Sequence, residues 1–229
     1  MLAGDEILAR LESARTKAAS AARRAGRDPS AIRIVLASKT QPPEAIRAAY
    51  IAGARDFGEN YVQEALTKRS ALADLPGIRW HLIGHLQANK AKLAAGAFEL
   101  IHSLDSARLA IALNRAQSKP PVRVLVEVNL GGETSKTGIS PADVAELIDA
   151  SRGKVEVAGL MTIPPPSDDA VRTRAYFTQL RVLRDRLAVD SGLALSELSM
   201  GMSDDYELAI EEGATIVRVG RAIFGERIR

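Results

Sequence analysis

The run Ile32-Arg33-Ile34-Val35-Leu36-Ala37-Ser38-Lys39 is aliphatic almost throughout and closes on a lysine. A continuous apolar run of this kind, rather than an alternating one, suits a strand covered on both faces, as in a parallel sheet. A second run, Ile216-Val217-Arg218-Val219-Gly220-Arg221-Ala222-Ile223-Phe224-Gly225, has the same apolar character and carries a guanidinium and a glycine. Between the two, strand-like and helix-like segments alternate. Strands are expected over 32–39, 56–59, 79–85, 98–104, 122–129, 155–163, 195–201 and 215–224. Helices are expected over 43–52, 61–72, 88–95, 107–117, 142–151, 169–189 and 206–212, after an amphipathic N-terminal helix over 5–25. Glycines close several of them (Gly53, Gly96, Gly153, Gly192, Gly213), and Pro43 and Pro141 suit first turns.

Alternation at this density implies a parallel sheet. Eight strands imply an α/β fold of the (β/α)8 (TIM) barrel type with an extra N-terminal helix, as a single domain over 1–229. An open doubly wound sheet would normally carry a glycine-rich first turn after its first strand, and Ala37-Ser38-Lys39-Thr40 is not one. No repeat, low-complexity segment or linker interrupts the pattern.

In a barrel the chemistry gathers at the C-terminal ends of the strands. Those ends supply Lys39, Glu59 and Asn60, His85, Asn129, Met161 and Thr162, Ser203, and the set Arg218, Gly220 and Arg221. A lysine amine at the end of a buried strand can condense with an aldehyde, and burial can lower its pKa enough to leave it nucleophilic. Ser203, Gly220 and Arg221 lie where barrels commonly hold phosphate, after strands seven and eight. Together these groups suggest pyridoxal 5'-phosphate (PLP) bound as a Schiff base. Each residue also has a plainer reading. Lys39 could be a solvated strand-end lysine, and Ser203 could merely cap its own helix. Glu59 could be a general base or the partner of a core cation. His81 and His85 have the i,i+4 spacing of a helical zinc pair, but their segment reads as a strand. Trp80 is most simply a core anchor.

Composition narrows the field. Apolar residues make up 46% and aromatics 4%, so the core rests on aliphatic side chains. Net charge is +3, from 31 basic and 28 acidic residues mixed along the chain, without the clustered basic face of a nucleic-acid binder. With no cysteine, disulfides, thiolate catalysis and cysteine-held zinc are excluded. No apolar stretch approaches the roughly 18 residues of a membrane helix, and no signal peptide is visible.

Several stretches, in this order, resemble one family: Ala37-Ser38-Lys39-Thr40, Phe57-Gly58-Glu59-Asn60-Tyr61-Val62-Gln63-Glu64, Trp80-His81-Leu82-Ile83-Gly84-His85-Leu86-Gln87, Gly159-Leu160-Met161-Thr162, Ser199-Met200-Gly201-Met202-Ser203-Asp204-Asp205, and the run from Val217 to Gly225. The chain is similar to the pyridoxal phosphate homeostasis proteins, which are alanine racemase N-terminal-domain-like. The resemblance implies a single-domain PLP barrel with the cofactor on Lys39, Arg218 facing the pyridine nitrogen, Ser203, Gly220 and Arg221 at the phosphate, and Asn60 at the ring's polar edge. Met161 is expected at the same site. It also implies a role in keeping free PLP in balance, without conventional catalysis. The expected setting is a cytoplasmic monomer that serves PLP-dependent apo-enzymes, with no nucleic acid or membrane partner. Two alternatives stay open: a one-domain PLP-dependent amino-acid racemase, which would need a second acid/base that the end of the chain leaves no room for, and a Schiff-base aldolase acting on a phosphorylated sugar.

Overall fold

The computed structural model describes residues 4–117, 120–133 and 137–225. Residues 1–3 and 226–229 of the expected domain lie outside the described residues. Eight strands pair in parallel and in sequence order, and β8 returns to β1 to close a barrel. They are β1 (Arg33–Ala37), β2 (Asp56–Glu59), β3 (Arg79–Leu82), β4 (Leu100–Leu104), β5 (Arg123–Glu127), β6 (Glu156–Met161), β7 (Glu197–Ser199) and β8 (Ile216–Val219). The described helices are α1 (Gly4–Arg24), α2 (Pro43–Ile51), α3 (Val62–Ala71), α4 (Ala91–Ala94), α5 (Ala107–Ala116), α6 (Val144–Ser151), α7 (Ala170–Ser191), α8 (Tyr206–Glu211) and α9 (Arg221–Phe224).

The apolar runs form one large core between the strands and the helices. Trp80 anchors part of it, nearly buried, with its ring centroid 6.0 Å from that of Phe57. A smaller apolar cluster fills the barrel interior: Val35, Leu100, Leu125, Ala158, Met161 and Ile216. The rest of the interior is polar, with His81, His102, Ser199 and Arg218 all buried.

The strand expected over 215–224 is shorter than its apolar run. The sheet ends at Val219, and Gly220 opens the short helix α9. An apolar run alone does not separate strand from buried helix, and the glycine marks where the period changes. Similarly, β3 stops at Leu82, so His85 lies in the loop beyond it. There His85 is 3.1 Å from Asp105.

Among the described residues, the helix after β8, α9, has only four residues. Helix α1 packs against α2, α8 and α9. Its buried face is Ile7, Leu11, Ala14, Ala18, Ala21 and Ala22, spaced at the three- and four-residue steps of a helix stripe. Arg24 reaches Glu207 and Glu211 of α8, and Arg15 donates to the carbonyls of Ala52 and Gly53 beyond α2.

Candidate cofactor site

Lys39 follows β1 by two residues and is half-buried. The residues on either side of it are pinned. The hydroxyl of Ser38 donates to Glu59 Oε1 at 2.6 Å. The Lys68 ammonium donates to the Ser38 carbonyl (2.8 Å), to Glu59 (2.8 Å) and to Glu64 (2.6 Å). Glu64 in turn accepts the N–H of Thr40 at 2.7 Å. Thr40 has a φ of 66°, the one positive φ outside glycine among the described residues. A β-branched residue is strained in that region, and such strain persists only where its surroundings impose it. Glu59 is therefore the partner of a core cation, the plainer of its two sequence readings. Burial pushes its carboxyl up, against the opposing hydrogen bonds from Lys68 and Ser38. Lys68 was not legible as a site-supporting residue, because in sequence it is one more helix lysine.

At the opposite wall, Ser203 does not cap α8. It sits in the preceding turn, and its Oγ accepts the N–H groups of Gly220 (3.3 Å) and Ala222 (3.2 Å) across the gap to β8. Asp205 holds that turn by accepting the Met202 N–H at 2.6 Å. Gly201 makes it possible, with φ at 89° and space for a Cβ only 2.5 Å from that of Ala209. Gly220 packs closely on β1, where a Cβ would lie 3.2 Å from the Ala37 carbonyl oxygen. Arg221 pairs with Asp204 at the rim.

Arg218 is buried. Its Nη1 donates to Ser199 Oγ at 2.5 Å, and its Nη2 donates to the Thr162 carbonyl at 2.9 Å. Burial lowers its pKa to about 10, while the nearby charges of Asp205 and Glu127 act to raise it.

Lys39, Asn60, Ser203, Arg218, Gly220 and Arg221 all line one cavity of about 200 Å³ at the C-terminal mouth, together with Gln41, Ile83, Ile163 and Met202. An amine nucleophile, a cradle of hydroxyl and backbone N–H donors, and a fixed guanidinium thus face the same space. Met161 does not join them. It is fully buried in the barrel interior, and the neighbouring wall position is taken by Ile163. The strand's alternation accounts for this, since side chains two residues apart share a face and the chain leaves the sheet after Met161. Asn129 is also elsewhere, donating to the Glu133 carbonyl.

The sequence profile described as "Alanine racemase, N-terminal domain" matches residues 10–228. The pyridoxal phosphate homeostasis protein of Aquifex aeolicus is 49% identical over 211 residues, covering 90% of this chain and 92% of that protein. The chain belongs to the pyridoxal phosphate homeostasis protein family. The family member from Escherichia coli strain K12 is 42% identical over 234 residues, covering 97% of each chain. Among solved structures, PipY of Synechococcus elongatus with PLP bound superposes with a TM-score of 0.85 at 42% identity, over 96% of this chain and 100% of that one. Alanine racemase of Corynebacterium glutamicum shares the barrel alone with this homeostasis-family chain, at 18% identity and a TM-score of 0.71.

A larger cavity of about 600 Å³ opens at the N-terminal mouth and includes Arg15, Arg33, Arg55 and Arg79 among its walls. Three of these arginines are committed to protein acceptors: Arg15 to Ala52 and Gly53, Arg55 to Tyr50 and Ala54, Arg79 to Asp56.

Proposed function

We propose that this protein holds pyridoxal 5'-phosphate at the C-terminal mouth, attached through Lys39, and serves in balancing the free cofactor rather than in turnover. The observation that carries the reading is the convergence of Lys39, the Ser203–Gly220 cradle and Arg218 on one cavity. The cradle fits a phosphate ester. The backbone donors of Gly220 and Ala222 already converge on one oxygen, that of Ser203, at the long end of hydrogen-bond range. Phosphate oxygens offer those donors charged acceptors. The Asn60 side chain is assigned to the ring's polar edge, and Arg221 contributes its backbone N–H beside the phosphate.

When bound, the cofactor supplies an aldehyde for an amine and a ring that can draw electrons. Arg218 controls the second property. A guanidinium only donates, so a ring nitrogen held against it would stay unprotonated and the ring would remain a weak electron sink. Turnover also needs a second acid/base. Among the described residues lining the cavity none is a His, Tyr, Cys, Asp or Glu. Both points favour the homeostasis role over the racemase alternative.

The same reading makes the chain a single-domain cytoplasmic monomer that passes cofactor to PLP-dependent apo-enzymes. Exposed large apolar side chains are spread over α1, α2, α4, α5 and α7, and no described helix is long and apolar enough to cross a membrane. Light scattering tests the monomer.

The function is tested by titrating the ligand-free protein with PLP and with pyridoxal. PLP is expected to bind with a shifted absorbance band and pyridoxal far more weakly, and equal affinities would contradict the cradle. Ser203→Ala is expected to weaken PLP binding about tenfold, the worth of one charge-assisted hydrogen bond. Purified protein is expected to racemise no common amino acid at the roughly 1–1000 per second of ordinary enzymes. Racemisation in that range would move the assignment to the racemase.

A further inference from the structure

Arg218 is a buried cation whose direct partners are neutral oxygens, those of Ser199 and Thr162. Burying a charge without a carboxylate in contact is costly, and Asp205 and Glu127 act on this one only from a distance. The hydrogen bonds continue past Ser199. Its Oγ is 2.8 Å from His102 Nδ1, His102 Nε2 is 3.1 Å from His81 Nδ1, and His81 Nε2 is 3.0 Å from Asp56 Oδ1. His81, His102 and Ser199 are completely buried. Asp56 begins β2, so the row runs through the barrel from its N-terminal mouth to the wall of the cofactor cavity.

The two ends, together with the neutrality that full burial favours in both imidazole rings, fix the direction of every bond. Arginine can only donate and an ionised carboxylate can only accept. Ser199 therefore accepts from Arg218 and gives its own proton to His102 Nδ1. His102 then carries its proton on Nε2 and donates to His81 Nδ1. His81 carries its proton on Nε2 and donates to Asp56. Ser199, His102 and His81 each accept once and donate once along the row. Arg79 completes the far end, donating to both oxygens of Asp56.

We propose that Ser199, His102, His81 and Asp56 are positioning residues, forming a one-way hydrogen-bond relay that runs from the Asp56 carboxylate at the other end of the barrel and orients the Arg218 guanidinium toward the cofactor cavity. The positioning role rests on the function proposed above; the direction of the relay does not. Four side chains from β2, β3, β4 and β7 thus set the hydrogen-bond donor that meets the ring, although none of them lines the cavity.

The relay is tested first in ligand-free protein by nitrogen-15 NMR of the imidazole rings. Both histidines are expected as the neutral Nε2–H tautomer, unchanged from pH 8 down to 6. The charged groups around them are Arg33, Asp56, Arg79, Glu99 and Arg218, from β1, β2, β3, the turn before β4, and β8. An Nδ1–H tautomer or a charged ring at either position would overturn the relay. Ser199→Ala then cuts it in the middle. The His102 Nδ1 resonance is expected to move, the absorbance band of bound PLP to shift, and PLP affinity to fall about tenfold, with Ser199→Thr restoring all three. If the tautomers are as assigned but Ser199→Ala leaves PLP affinity and spectrum unchanged, the positioning role is refuted. Wild-type protein that binds no PLP while showing the assigned tautomers would refute the proposed function and leave the relay standing.

Discussion

Lys68 carries more of the site than its place on a helix suggests. It is buried, it pairs with Glu59 and Glu64, and through the Ser38 carbonyl it fixes the loop that bears Lys39. Lys68→Met would leave Glu59 buried without its cation, a defect that typically costs about 3–5 kcal/mol. Urea unfolding is expected to show a loss of that size, and PLP binding to weaken because the Lys39 loop is released; unchanged stability would mean that Glu59 is neutral in the folded protein. Asp56 makes a second residue-scale prediction. Burial opposes its charge, but hydrogen bonds from Arg79 and His81 outweigh this and lower its pKa from 3.8 to about 2. A carboxyl with a depressed folded pKa stabilises above its unfolded pKa, and that contribution fades as pH falls toward the folded value. The shift corresponds to about 2 kcal/mol, lost between roughly pH 4 and pH 2. The buried histidines add a loss with the same sign at higher pH. Burial holds their pKa below 6.5, so acid below that value protonates the unfolded chain preferentially. Acid titration followed by circular dichroism is expected to show both phases, with the lower one absent in Asp56→Asn.

At the scale of elements, the turn between β7 and α8 is the most sensitive joint. Gly201 there has a left-handed φ, and a Cβ would meet Ala209 and Tyr206. Gly201→Ala is expected to cost more than the roughly 1–2 kcal/mol of the backbone alone, since the clash adds to it. It should also displace Ser203 and weaken PLP binding; a variant with normal affinity would show that the turn does not position Ser203. The sequence made this joint partly visible. Ser203, Gly220 and Arg221 stood at strand ends and were expected to converge, and they do. That Ser203 would bond to the β8 turn rather than cap α8 was not visible, because an N-cap and a cross-loop acceptor have the same sequence signature. The end of β8 was misplaced for the opposite reason, an apolar run continuing across a change of period at Gly220. The buried relay was invisible: His81 and His102 are separated by 21 residues and Ser199 by a further 97, and only barrel closure brings them together.

Over the whole molecule, α1 packs against α2, α8 and α9 beside the β8–β1 closure. Leu11 is fully buried on its inner face. Leu11→Ala is expected to cost about 2–5 kcal/mol in urea unfolding, as for other buried leucines, whereas truncating exposed Leu8 is expected to cost little. The barrel itself was legible because strand count, helix count and continuous apolar strands all pointed to it. The central claim is that the barrel gathers Lys39, the cradle and Arg218 so that PLP is held covalently at one lysine. The most direct measurement is borohydride reduction of the PLP-treated protein followed by peptide mass mapping. A reduced pyridoxyl adduct on Lys39, absent in Lys39→Ala, is the predicted result. An adduct found only on other lysines, with Lys39 unmodified, would contradict it.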